Sequence, residues 1–262
     1  MNKRVLSDSN IWLTGASSGI GEALVRELAK YGHKLVISGR RQQPLDALAE
    51  EWPEQIHTAV ADTTNREELS SLAGSLTHFG DLDMVILNAG TCEYLEVAEY
   101  DSSVIEANLT TNVLGTARCL DIALPALRAT RAKGNPASVV IVSSSAWWFP
   151  FSRAEGYGAS KAALTYFAQS LRADLAAEGI EVVVVSPGFV KTPLTDRNDF
   201  PMPFMVSADE AARRIHQGLA KGKREIAFPR RFAWTLKALG CLPQRVIDRI
   251  AASMARRSEN HV

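Results

Sequence analysis

Cysteine is scarce in this chain. Cys92, Cys119 and Cys241 are far apart and odd in number. They have no metal-ligand spacing, so no metal site and no disulfide framework is expected, and a reduced, cytoplasmic protein is the simple reading. No stretch approaches the roughly 20 apolar residues needed to span a bilayer. Lys3 and Arg4 are followed by no apolar segment, so no secretory signal is expected. The formal net charge is zero, which gives no reason to expect a nucleic-acid partner. Hydrophobic residues make up 46% and aromatics 7%, ordinary values for a soluble α/β protein.

What is present is an alternation of apolar, β-branched runs with helical stretches. The runs are NIWLT (10–14), KLVIS (34–38), HTAVA (57–61), DMVIL (83–87), SVVIV (138–142), EVVVV (181–185) and EIAF (225–228). Near-continuous Val/Ile runs suit strands buried on both faces, as in a parallel sheet. Strand and helix in turn predict a doubly wound, Rossmann-type α/β sheet of about seven strands with helices on both faces. No repeat, low-complexity tract or composition break divides the chain, so a single domain over residues 1–262 is expected.

In such sheets ligands bind beyond the carboxyl ends of the strands. The chemically suggestive residues fall there. The first run feeds into TGASSGIG (14–21), and the pattern of Ile20, Ala23, Leu24 and Leu28 then marks a helix. Gly15 suits a tight turn, while Gly19 and Gly21 allow close approach of backbone to a pyrophosphate and of helix to strand. Ser17, Ser18 and Ile20 complete this loop, and the helix N-terminus offers free N–H groups to phosphate. Asp62 with Thr63, Asn88-Ala89-Gly90, Ser143-Ser144 and Pro187-Gly188 close four further runs.

Tyr157 and Lys161 lie four residues apart in YGASK, one helical turn, so an ammonium would stack beside a phenol. A cation there favours phenolate, and Ser144, thirteen residues upstream, can hold a carbonyl oxygen. The trio can pass a proton to or from an alcohol or ketone. Alone the pair is common enough to arise by chance, and the glycine-rich turn upstream is what gives it weight.

Assembled, these segments resemble the short-chain dehydrogenase/reductase family, in its compact single-domain branch, from Asn10 to about Phe228. TGASSGIG resembles the family's cofactor loop, Asn88-Ala89-Gly90 its sheet-stabilising turn and YGASK its catalytic helix. SPGFVKT (186–192), which supplies Pro187, Gly188, Phe189, Val190 and Thr192, resembles the segment contacting the nicotinamide end. The resemblance implies Tyr157 as general acid in reduction and base in oxidation, with Ser144 fixing the carbonyl oxygen. It gives Lys161 the nicotinamide ribose hydroxyls, and Asn112 a water leading protons to Lys161. Asn112 begins an Asn-x-x-Gly stretch followed by Leu124-Pro125, whereas Asn108 is assigned to the helix surface. Ser144 is preferred over its neighbours Ser143 and Ser145 because the family's serine usually stands thirteen residues before the tyrosine. Asp62 and Thr63 are expected near the adenine, and a homodimer or homotetramer is expected by analogy.

For the cofactor, NAD readers usually carry an acid at the end of the second strand. Here Gly39-Arg40-Arg41 stands there, and guanidinium binds a 2′-phosphate well, so NADP(H) is favoured over NAD(H). For the substrate, Trp147, Phe189 and Phe204 are candidates beside Ser144 and Tyr157. Residues 193–206 occupy the family's lid position, and their Pro/Met/Phe content suits a lipophilic or aromatic carbonyl or alcohol. The aromatic run 147–151 serves equally as core or subunit interface. The alternatives are a non-catalytic dinucleotide-binding regulator and an NAD-dependent alcohol dehydrogenase of the same fold.

From Lys221 onward ten Lys/Arg face three Asp/Glu, which makes 230–262 a basic helical extension. Val246, Ile247, Ile250, Ala251 and Met254 mark one helical face, with Arg245, Arg249, Arg256 and Arg257 elsewhere. This extension packs over the substrate mouth or a subunit, or makes a weak peripheral contact with anionic membrane.

Overall fold

The computed structural model describes residues 8–254, with the backbone alone of residues 77 and 78. Lys3, Arg4, Arg256 and Arg257 lie outside the described residues. The strands are β1 (Asn10–Thr14), β2 (Lys34–Gly39), β3 (Ile56–Val60), β4 (Met84–Leu87), β5 (Ala137–Val142), β6 (Ile180–Pro187), β7 (Val190–Lys191), β8 (Val206–Ser207) and β9 (Glu225–Phe228). The helices are α1 (Gly19–Ala29), α2 (Gln42–Glu51), α3 (Arg66–Phe79), α4 (Ser102–Leu109), α5 (Gly115–Ala132), α6 (Glu155–Leu175), α7 (Ala208–Ala220), α8 (Arg230–Gly240) and α9 (Gln244–Met254).

Seven strands form one parallel sheet in the order β3-β2-β1-β4-β5-β6-β9, and β7 pairs with β8 separately. All seven coincide with the apolar runs to within two residues at either end. The Rossmann-type doubly wound sheet is therefore the fold. The order reverses between β1 and β4, which opens a crevice at their carboxyl ends.

Alternate side chains of each strand enter opposite layers. Ile11 and Leu13 of β1 join the core beneath α1, α2 and α7, while Trp12 joins the one beneath α3, α5 and α6. The Trp12 indole, fully buried, donates to Ser38 Oγ at 3.0 Å, so the one polar atom of that ring is satisfied. A third, smaller cluster gathers Trp148, Phe149, Phe232, Leu236 and Ile247 under α8 and α9. The extension therefore packs on the segment that follows Ser144, and a Cβ on Gly240 would lie 2.3 Å from the Trp148 carbonyl oxygen. The outer face of α8 leaves Trp234 67% exposed.

Where α1, β2 and α7 meet, two histidines are buried. His33 Nδ1 accepts from the Ser9 amide at 3.3 Å, but its Nε2 finds no partner among the described residues. His216 stacks on Tyr31 at 4.0 Å and lies 3.9 Å from Glu27. Burial pushes His33 down to about 4, helped by the neighbouring His216, and burial also pushes His216 down. The native imidazole of His33 stays neutral where the unfolded one, near 6.5, takes a proton. Its contribution is complete above pH 6.5 and is lost as the pH falls toward 4. The urea midpoint should therefore fall steadily from pH 7 to pH 4.5, and a His33→Leu variant should show a markedly flatter decline. Parallel declines in the two proteins would exclude this pair as the acid-sensitive element.

Candidate active site

The carboxyl ends of β1 and β4 are tied together. Thr14 Oγ1 accepts from the amides of Asn88 and Ala89, both at 3.1 Å. Asn88 Nδ2 returns bonds to the carbonyls of Thr14 at 3.2 Å and Gly15 at 3.1 Å. The approach leaves no room for side chains. A Cβ on Gly15, whose φ is +68°, would lie 2.7 Å from Ala89 Cα, and one on Gly21 would lie 2.1 Å from the Gly15 carbonyl oxygen.

Beyond this junction lies a cleft of about 1010 Å³. Gly15, Ser17, Ser18, Gly19 and Ile20 line it where α1 begins. Ser18, the N-cap of α1, makes no side-chain cap bond, so the first-turn N–H groups remain available to an anion. Gly21 lies behind the loop as a packing residue. Arg40 and Arg41 line the same end, and Arg41 Nη2 donates to the Ser17 carbonyl at 2.8 Å. Asp62 and Thr63 also line the cleft. Asp62 Oδ1 is held by the Thr64 amide and hydroxyl, each at 2.8 Å. Ala89, Gly90, Pro187, Gly188, Val190 and Thr192 complete the walls. The glycine cradle and the uncapped helix end fit the pyrophosphate of a dinucleotide, and the two arginines stand at the same end.

At the far end stand Ser144, Tyr157 and Lys161. Lys161 is buried on α6 and its Nζ donates to the Val142 carbonyl at 3.1 Å, 5.7 Å from the Tyr157 ring centre. Burial pushes Lys161 down to about 8. Burial also pushes the Tyr157 phenol up, the thiol of Cys92 adds to this, and a hydrogen bond with Ser144 works against it. The expected lowering of the phenol by Lys161 therefore does not dominate here. The ammonium is directed at a carbonyl rather than at the phenol, and the offset comes from Ser144. Ser143 Oγ turns instead to the Lys161 carbonyl at 2.9 Å and to Thr165, while Ser144 Oγ accepts from the Ala146 amide at 3.2 Å.

Asn112 sits on a wide π-type turn, Thr110–Leu114, between α4 and α5. Its Oδ1 accepts from the Thr91 amide at 2.8 Å, and its Nδ2 donates to the Thr91 carbonyl at 3.0 Å and to Ser160 Oγ at 2.8 Å. Ser160 in turn donates to the Tyr157 carbonyl at 2.7 Å. Asn108 is a correction to the surface assignment, because it is fully buried. Its side chain accepts from the Glu93 amide at 3.2 Å and donates to the Glu93 carbonyl at 2.9 Å. Its burial follows from the close packing of α4 on α6, where a Cβ on Gly156 would lie 3.0 Å from Ile105 Cα. The two asparagines, one turn apart, act as backbone substitutes that hold alternate residues of the segment leaving β4.

Trp147, Phe189 and Phe204 do not line this cleft. Trp147 tilts against Trp148 with ring centres 5.3 Å apart, and Phe189 and Phe204 neighbour Phe232 at 5.4 and 6.4 Å. Trp147 and Phe189 pack against the satellite cluster under α8, whereas Phe204 is 56% exposed. Of residues 193–206, Pro193, Leu194, Thr195 and Arg197 do reach the cleft. Thr91, Glu93 and Arg197 line it without having been singled out from the sequence. No spacing marks them, because loops from two distant parts of the chain bring them together.

A parallel sheet with a phosphate cradle at its switch point and a Tyr-Lys-Ser cluster defines the class of nucleotide-dependent oxidoreductases. The family model of short chain dehydrogenases matches residues 9–200, and the chain belongs to that family. It is 34% identical over 247 residues to an uncharacterized oxidoreductase of Myxococcus xanthus, covering 91% of this chain and 94% of that protein. It is 33% identical over 249 residues to 11-beta-hydroxysteroid dehydrogenase 1A of Arabidopsis thaliana, covering 86% and 69%. Its fold is also that of a short chain dehydrogenase from Burkholderia cenocepacia in complex with NADP. The TM-score is 0.80 at 24% identity, with 96% and 99% of the two chains covered.

Asn112 fastens two backbone groups at once, and its loss leaves buried donors and acceptors unpaired. Asn112→Ala should destabilise the protein by about 2–4 kcal/mol, read by urea denaturation. A loss within experimental error would remove it from this role.

Proposed function

We propose that the protein interconverts a carbonyl and an alcohol with NADP(H), Tyr157 serving as the general acid and base. The observation that carries this reading is one continuous cleft. Its entry to α1 is built for phosphate and its opposite end presents Ser144 and Tyr157 over buried Lys161.

Gly90 and the Pro187–Thr192 segment would hold the nicotinamide, which when bound would supply or accept the hydride. Ser144 fixes the carbonyl oxygen and lies within hydrogen-bonding reach of the phenol. Tyr157, kept protonated at neutral pH by its burial, is ready to donate in the reductive direction. In oxidation it must first lose that proton, so the oxidative rate rises with pH. Lys161 carries its charge below about 8 and is placed to hold ribose hydroxyls, while Asn112 holds the Thr91 segment and, through Ser160, the Tyr157 backbone. A lipophilic substrate is supported by the Arabidopsis hydroxysteroid dehydrogenase relatives.

Arg40 and Arg41 at the end of β2 support the choice of NADP(H). Charge-assisted contacts to a 2′-phosphate contribute about 1.5–3 kcal/mol. Arg40→Asp should therefore weaken NADPH binding roughly 10- to 100-fold and reverse the preference over NADH, measured by nicotinamide fluorescence titration. An unchanged preference would sink the assignment.

Tyr157→Phe removes the transferable proton and little else. In a carbonyl and alcohol screen followed by absorbance, it should lower turnover by about 10²–10⁴-fold with NADPH affinity retained. A variant as active as the parent would revive the non-catalytic, dinucleotide-binding reading.

A further inference from the structure

Beside the Ser144–Tyr157 end of the cleft, each of four consecutive residues meets a partner on another segment. Arg197 Nη2 lies 3.6 Å from Glu93 Oε1 and donates to the Cys92 carbonyl at 3.5 Å. Asn198 Oδ1 accepts from the Tyr94 hydroxyl at 2.9 Å. Asp199 accepts from Arg153 Nη1 at 3.1 Å, and the Phe200 ring meets the Tyr94 ring edge-on at 5.8 Å. The far wall is itself fixed. Glu93 Oε1 accepts from the Thr91 hydroxyl at 2.6 Å, and Asn108 holds both backbone groups of Glu93.

Arg153 is the hub of this arrangement. It comes from neither the lid nor the wall, but from the turn before α6. One guanidinium nitrogen pairs with Asp199 on the lid and the other with Glu96 on the wall. Its Cζ stands 5.4 Å from the Tyr94 ring centre, over the face, a favourable place for a cation. Its carbonyl accepts from the Leu95 amide at 2.9 Å. The side chain is only 26% exposed, and the backbone stands at φ +66°, a left-handed conformation that a non-glycine residue adopts at a cost. That cost is offset by the contacts the conformation makes possible.

We propose that residues 197–200, the wall 92–96 and Arg153 form a clasp over the substrate end of the cleft. In it Arg153 is a positioning residue that sets substrate affinity without touching substrate or cofactor. Solvent-facing ion pairs are individually weak and screened by salt. Several in a row close the lid, yet each breaks readily, as a gate that opens in every turnover requires. Arg153 lies outside the phosphate end of the cleft, so cofactor affinity is independent of it. The clasp deepens the carbonyl-reductase reading and rests on it for the identity of the substrate end.

Hydrogen–deuterium exchange of the full chain tests the clasp without turnover, with and without NADP⁺. Arg153→Met should raise exchange of amides 195–203 about tenfold, with Arg153→Lys restoring part of the protection. Asp199→Asn, on the exposed lid, should give a smaller rise without touching the left-handed turn. NADPH affinity should stay within about twofold in all three. With the carbonyl substrate found in the screen, Arg153→Met should raise KM while leaving kcat unchanged or higher. Unaltered lid exchange in folded Arg153→Met and Asp199→Asn would overturn the clasp. A fall in kcat at unchanged KM would overturn the positioning role. Loosened exchange in a protein that reduces no carbonyl would leave the clasp standing and refute the reaction instead.

Discussion

The close approach of β1 to β4 at their carboxyl ends is the constraint on which the rest depends. Across that junction the Thr14 hydroxyl accepts from two backbone amides and the Asn88 side chain donates to two backbone carbonyls, and only glycine fits at positions 15 and 21. The junction is the point at which the winding of the sheet reverses, so one chain leaves toward α1 and the other toward α4. The cleft between them exists because neither chain can cover it. The glycine cradle at α1, the wall of Pro187–Thr192 and the Ser144–Tyr157–Lys161 end of the cleft are all built outward from this point.

Two buried asparagines extend that order to the catalytic end. Asn108 and Asn112 supply amide groups in place of a neighbouring strand and pin residues 91 and 93. Amides of this kind are costly to bury unless all their bonds are made, and both make theirs. Through Ser160 the same network reaches the Tyr157 carbonyl. The substrate end thus combines a rigid wall, fastened from behind by amides, with a lid fastened from the front by charges. The difference in chemistry matches the difference in task, since buried amide bonds persist and exposed ion pairs exchange.

The electrostatics of the catalytic cluster follow from burial more than from pairing. Burial discourages charge on both Tyr157 and Lys161, so each favours its neutral form more than in water. A protonated phenol at neutral pH suits donation to a carbonyl oxygen, and the Ser144 hydroxyl keeps phenolate within reach for the reverse direction.

Much was legible in the sequence because it rested on local rules. Apolar β-branched runs located the seven parallel strands, since strands buried on both faces have no polar alternation to hide them. Glycine spacing after β1 located the cradle, and the four-residue step from Tyr157 to Lys161 placed both on one helical face. Ser144, Arg40 and Arg41 fell at strand ends where the fold brings them to one cleft. What depended on distant packing was not legible. Asn108 is buried because α4 meets α6 through Gly156, a contact between residues nearly fifty positions apart. Trp147 and Phe189 carry the composition of a substrate pocket, yet α8 folds back and collects them against its own core, while Phe204 is left exposed beside Phe232. Arg153 has no motif at all, and its place over Tyr94 arises only when three loops converge. The sequence by itself determined the sheet, the glycine cradle and the Tyr157–Lys161 pair, because periodicity and spacing encode them. Tertiary structure alone decided which side chains line the cleft, because that depends on how separate loops close on one another.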